Sequence, residues 1–174
     1  MALAAVPVQI LGTGLMIHFR QPGVNIGYVI MCQIFIAFSG GTLVICEEMA
    51  VMAAASHAEV AVVLALLGLF TSIGGAVGQT IAGAIWTNSL PGLLEKYLPE
   101  NVKGQAFQIY GSLPMQLQYP MGSPEREAIN RAYGDTQRRL VIASVCVLPL
   151  AFVFILMWRN INVKTVKQVK GNVI

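Results

Sequence analysis

Apolar residues fill four long runs of this chain, at 2–17, 26–46, 58–86 and 140–158, and polar residues gather between them. At about 1.5 Å per residue, some 20 apolar residues cross the roughly 30 Å hydrocarbon core of a bilayer. The second, third and fourth runs are long enough to span. The first, with 16 residues, reaches only about 24 Å, and Pro7 is placed to kink it. It reads as the latter part of a longer span whose beginning is missing. The pattern predicts an all-α polytopic membrane protein with about four transmembrane helices. Residues 1–86 hold three of them (about 2–17, 26–48 and 58–86), 87–138 form a partly helical loop, 139–158 the last span and 159–174 a polar tail.

The joints carry local signals. Pro22 and Gly23 punctuate the first turn. The second helix is expected to continue through the Ala-rich stretch 49–55, and Ser56-His57-Ala58-Glu59 fits a capping box for the third. That turn is then very short, and the second and third spans form an antiparallel hairpin. Within the loop, 91–97 and 100–111 can form short amphipathic helices, with Val102, Ala106, Ile109 and Tyr110 on one face. Gly122-Ser123-Pro124-Glu125 is a helix start, with Ser at the cap, Pro first and Glu in the first turn. Ala128, Ile129, Ala132 and Tyr133 follow as an apolar stripe that Gly134 is placed to break.

Composition agrees with a membrane setting. Only 11 % of the residues are charged and the mean hydropathy is +0.68, against about 25 % charged in soluble domains. A net charge of +3 is too small to suggest nucleic acid, and its distribution says more than its total. Arg159, Lys164, Lys167 and Lys170 follow the last run with no acid among them, which puts the tail in the cytoplasm by the positive-inside rule. The loop, counted with Arg139, has six basic and five acidic residues, and long loops translocate largely regardless of charge. It is therefore expected outside. Glu47, Glu48 and Glu59, on the inner side without Lys or Arg, speak against this assignment, though acids count little in the rule.

No catalytic constellation emerges, so an enzyme is not expected, nor a cofactor. Cys32, Cys46 and Cys146 all lie in apolar runs without metal-ligand spacing and read as small hydrophobes. Three features admit both a plain and a functional reading. Gly74, Gly78 and Ala82 form a small-residue stripe that either packs a neighbouring helix or also lines a pathway. Glu47 and Glu48 are either solvated carboxylates ending a helix or groups that couple protons or gate a cavity. The loop tyrosines, Tyr110, Tyr119 and Tyr133 among them, either anchor and pack the short helices or line a lid over an outer site.

Longer stretches carry a resemblance. FRQP at 19–22, CQIF at 32–35, GGTLVICE at 40–47, MAAASH at 52–57, LALLGLF at 64–70, SIGGAVG at 72–78 and GAIWTN at 83–88 resemble fungal siderophore–iron transporters of the major facilitator superfamily. YLP at 97–99, IYGS at 109–112, YPMGSP at 119–124, AYGD at 132–135, WRNI at 158–161 and KQVKG at 167–171 extend the resemblance through loop and tail.

The resemblance implies a multi-pass importer of ferric siderophore, driven by protons as a symporter, of which this chain is a C-terminal fragment. Its expected partners are the ferric siderophore, the lipid bilayer and the remaining transmembrane helices of the full-length transporter. It implies a plasma membrane, or an endosomal vesicle, as the location. It also implies a part in uptake for the last outer loop, which directs attention to Tyr110, Tyr119 and Tyr133. Two alternatives stand beside it: a drug or small-molecule:proton antiporter of the same superfamily, and a four-span membrane scaffold protein.

Overall fold

A computed structural model describes residues 1–56 and 58–158, and all their regular structure is helical. Helix α1 is Ala2–Phe19, α2 Ile26–Ala54 and α3 Val60–Tyr97; two short helices, α4 Ala106–Gly111 and α5 Leu113–Leu117, precede α6, Pro124–Leu156. Four of them (α1, α2, α3 and α6) are long and apolar enough to cross a membrane. The cationic tail at 159–174 and His57 lie outside the described residues.

The helices run well past their apolar runs. With 38 and 33 residues, α3 and α6 measure about 57 Å and 50 Å, against roughly 30 Å of hydrocarbon. So residues 87–97 and 124–138, placed with the loop although 91–97 and the stretch from Ser123 carry helical signals, continue α3 and α6 without a break, and the connection is 98–123. Polar side chains do not end α3 because they bond back to it. Thr87 Oγ1 donates to the Gly83 carbonyl at 2.9 Å and Asn88 Nδ2 to the Ala84 carbonyl at 2.7 Å, satisfying the groups without unwinding the helix. Pro91 is accommodated inside it. The helix stops at Leu98, whose extended backbone is what the following Pro99 favours.

These extensions pack against each other and make a small module beyond the apolar runs. Leu90, Leu93 and Leu94 of α3 join Ala128, Ile129 and Ala132 of α6, and Leu98, Ala106 and Ile109 of the connection complete one buried cluster. Each fully buried Leu or Ile contributes about 2 kcal/mol. Polar ties run along the same seam. The Tyr97 hydroxyl donates to Asp135 Oδ2 at 2.6 Å, and Arg139 Nη1 donates to Ser89 Oγ at 3.1 Å. The Arg131 guanidinium lies 4.6 Å over the Tyr97 ring, a favourable cation–π distance.

The two helix starts differ from each other. Ser123 caps α6 by accepting from Arg126 N at 3.2 Å, with Pro124 first and Glu125 and Glu127 in the opening turn. At the third helix only half of the expected capping box forms. Glu59 reaches back to the Ser56 hydroxyl and amide, at 2.6 and 3.3 Å, but α3 begins at Val60 with Glu59 itself as the cap residue.

Two glycines set close approaches. A Cβ on Gly12 would lie 3.1 Å from both Ile36 Cγ1 and Phe35 Cβ, so α1 lies tightly on α2. Ser39, fully buried, donates there to Gln9 or to the Phe35 carbonyl. Gly134 does not break α6 as expected from the sequence. A Cβ there would lie 2.6 Å from Pro22 Cδ, so the bare glycine seats the α1–α2 turn against α6. That turn has the residue order of type II, Pro22 then Gly23 at φ +85°, with Val24 N donating to the Gln21 carbonyl at 3.3 Å.

By contrast, α3 from 68 to 84 is exposed throughout, and Gly74 and Gly78 have no atom of another element within 4 Å of a built Cβ. Ala82 shares that bare stretch. Of the three thiols read as small hydrophobes, Cys32 is buried, Cys46 partly so and Cys146 exposed.

Two outcomes follow for the protein in detergent. Gly134→Ala should lower stability by about 1–3 kcal/mol, because a rigid proline ring cannot swing aside, whereas Gly104→Ala, with nothing within 4 Å, should leave the thermal midpoint in place. Tyr97→Phe should lower the thermal midpoint by removing the hydroxyl that bonds Asp135 and should make 98–123 cleavable by protease at lower temperature. Tyr119→Phe, whose exposed hydroxyl reaches Gln105 only at 3.5 Å, should not. Equal cleavage of both variants would mean that the Tyr97–Asp135 bond does not hold the module.

Candidate functional site

The module's polar hub is Gln116, 5 % exposed. Its Nε2 donates to the Ile109 carbonyl at 2.6 Å and to the Tyr133 hydroxyl at 2.9 Å, and its own carbonyl accepts from Arg126 Nη1 at 2.8 Å. One buried side chain thereby fixes α4, α5 and α6 together. Trp86 meets Tyr133 edge-on, with ring centroids 5.4 Å apart, which carries the hub to the end of α3's apolar run.

Beside this hub lies an open pocket of about 570 Å³ between the α1–α2 turn and α6. Its apolar wall includes Phe19, Pro22, Val29 and Ile129. Its polar wall comes from Arg20 and Gln21 on the turn and from Arg126, Asn130, Tyr133 and Gln137 on α6, with no Asp or Glu among the described lining residues. The last four residues fall on one face because steps of three and four bring helical positions together. Pro22 against Gly134 sets the distance between the two walls. Arg126 Nε and Gln21 Nε2 are buried without an acceptor. Such donors each cost about 1–3 kcal/mol when left unmet.

The residues singled out from sequence are dispersed. Of the three tyrosines, Tyr133 lines the pocket, whereas Tyr110 and Tyr119 pack on the module core. Tyr97 is held by Asp135. Glu47 and Glu48 are partly buried near the far end of α2. Gly74, Gly78 and Ala82 lie on the bare middle of α3. The pocket residues Gln21, Arg126, Asn130 and Gln137 were not anticipated. The signal is present in the register of 126, 130, 133 and 137 on the helix capped by Ser123, but the apolar stripe of Ala128, Ile129 and Ala132 draws attention to the opposite, packed face.

The chain is 60 % identical over 169 residues to MFS siderochrome iron transporter 1 of Ajellomyces capsulatus, covering 97 % of this chain and 29 % of that protein. It is 49 % identical over 169 residues to MFS siderochrome iron transporter B of Aspergillus fumigatus, covering 97 % and 28 %. It is 48 % identical over 168 residues to Siderophore iron transporter mirB of Emericella nidulans, again covering 97 % and 28 %. No family model and no solved structure matches it. The chain thus spans under a third of the length of the curated relatives it matches. Similarity at this level runs over nearly the whole chain, to part of the length of fungal proteins named as siderochrome or siderophore iron transporters.

Proposed function

We propose that this chain is the C-terminal segment of a transporter that carries ferric siderophore complexes across a fungal membrane by proton symport. The observation that carries this reading is the similarity over 97 % of the chain to proteins named as siderochrome iron transporters. Hydrophobic helices alone would suit any transporter. The match extends through the polar module, which lipid does not constrain.

In this reading the module faces outward and the tail lies in the cytoplasm, at the plasma membrane. The tail's Arg159, Lys164, Lys167 and Lys170 support that orientation. So does the shared end of the pocket: the α1–α2 turn and the start of α6 line it together, so Arg20 and the module lie on one side.

The remaining helices of the transporter cover the bare middle of α3. Thr71, Ser72 and Thr80 already donate to the carbonyls of Leu67, Gly68 and Ala76, so their hydroxyls need no outside partner. Gly74, Gly78 and Ala82 then admit a helix at close range. In transporters built from repeats, the substrate crosses between such packed bodies. Glu47, partly buried in α2, is the group assigned to proton coupling, with Glu48 beside it.

Uptake of labelled ferric siderophore by iron-starved cells carrying the full-length transporter tests this reading. Glu47→Gln should flatten the dependence of uptake on external pH while leaving the protein at the membrane. Tyr133→Ala should raise KM about tenfold, equivalent to about 1.4 kcal/mol. Tyr110→Ala and Tyr119→Ala should act chiefly by loosening the module. Dye efflux without siderophore uptake would instead identify a drug antiporter. Unchanged uptake in all three tyrosine variants would remove the module from the transport cycle.

A further inference from the structure

We propose that the pocket between the α1–α2 turn and α6 is an outer subsite that selects its ligand by charge, taking the anionic, oxygen-rich face of a ferric chelate. This rests on the transport reading above and adds to it a substrate class and a site.

The wall chemistry is one-sided. Arg20 and Arg126 bring two guanidinium groups, and no carboxylate among the described residues lines the pocket to neutralise them. Guanidinium groups pair with carboxylates through parallel hydrogen bonds and remain charged at every physiological pH. The phenol of Tyr133 accepts from Gln116 and so retains its own O–H as a donor. Arg126 Nε and Gln21 Nε2, on two residues that line the pocket, are buried without acceptors, and a bridging water can join such a donor to a ligand oxygen. A ligand rich in carbonyl and carboxylate oxygens relieves these unmet donors; a cationic one repeats their charge.

Size and shape fit the same class. About 570 Å³ is in the usual range for small-molecule sites. Phe19, Val29 and Ile129 give the hydrocarbon frame of a chelate an apolar wall on which to lie. The pocket is already spaced before binding, because Pro22 is wedged against Gly134. Binding then orders few side chains, which favours affinity.

An anionic phospholipid headgroup presents similar oxygens, and the experiment separates the two. Uptake is measured in iron-starved cells expressing the full-length transporter, with three matched ferric trihydroxamates: one neutral, one with a free carboxylate and one with a free ammonium group. Wild-type KM should rise in the order carboxylate, neutral, ammonium. Arg20→Glu should reverse that order, raising KM for the carboxylate form about tenfold at unchanged maximal rate and surface amount, and Arg20→Lys should restore it. Arg126 also braces the Gln116 carbonyl, so Asn130→Asp is the second variant, expected to shift KM in the same charge-dependent direction.

Equal KM values for the three chelates in wild type, or equal shifts for all three in both variants, would overturn the subsite while leaving transport intact. In proteoliposomes, loss of the Arg20 effect when anionic lipid is omitted would identify the occupant as a headgroup and also overturn it. If the wild type takes up none of the three chelates, the transport reading fails and takes the subsite with it.

Discussion

The seam between the extended ends of α3 and α6 is the contact on which the rest of this structure depends. Within lipid, two apolar helices gain little from meeting, because the tails around them are as apolar as their side chains. Beyond the apolar runs, Leu90, Leu94, Ile129 and Ala132 are buried away from water instead, and the hydrophobic effect applies in full. The same two helices are therefore held weakly along one part of their length and strongly along another. The polar ties Tyr97–Asp135 and Ser89–Arg139 lie on that seam and fix its register. With register fixed, Tyr133 meets Trp86, Gln116 finds both of its acceptors, and Arg126 is turned toward the pocket.

Hydropathy made the four long helices and their order legible, because crossing lipid leaves a simple mark: enough apolar residues in a row. It could not show where those helices stop, because a helix leaving the bilayer loses its apolar character without losing its hydrogen bonds. Residues 91–97 read as a short helix of their own beyond a polar break at 87–90, yet Leu90, Leu93 and Leu94 keep one helical stripe and Thr87 and Asn88 bond back to the turn before, so α3 runs through without a break. The start of α6 was legible for the opposite reason. Ser123 and Pro124 act through local geometry that needs no partner. At Ser56 the same kind of signal was only half realised, since a two-sided box also needs the serine in the cap position.

Glycine shows the limit most sharply. Gly12, Gly74 and Gly134 are alike in sequence, each a small residue in a helix. One lies against Ile36 and Phe35, one faces open space, and one receives a proline ring. What distinguishes them is the element opposite, which spacing along one chain does not encode. The pocket was illegible for the same reason. Arg20 and Arg126 are 106 positions apart in the chain, and only the seating of Pro22 on Gly134 brings them to one wall.

That seating also decides how the module end of the bundle is built. A lid of mobile tyrosines would have to order itself around each ligand, and every immobilised side chain would subtract from affinity by about 0.5–1.5 kcal/mol. Here Tyr97, Tyr110, Tyr119 and Tyr133 are packed or bonded into the module, and the pocket is bounded by a tight turn and a helix face. A rigid wall of donors can discriminate by charge because its groups cannot turn away from a poorly matched ligand. The module is thus built as a fixed surface rather than as a flap that orders on contact.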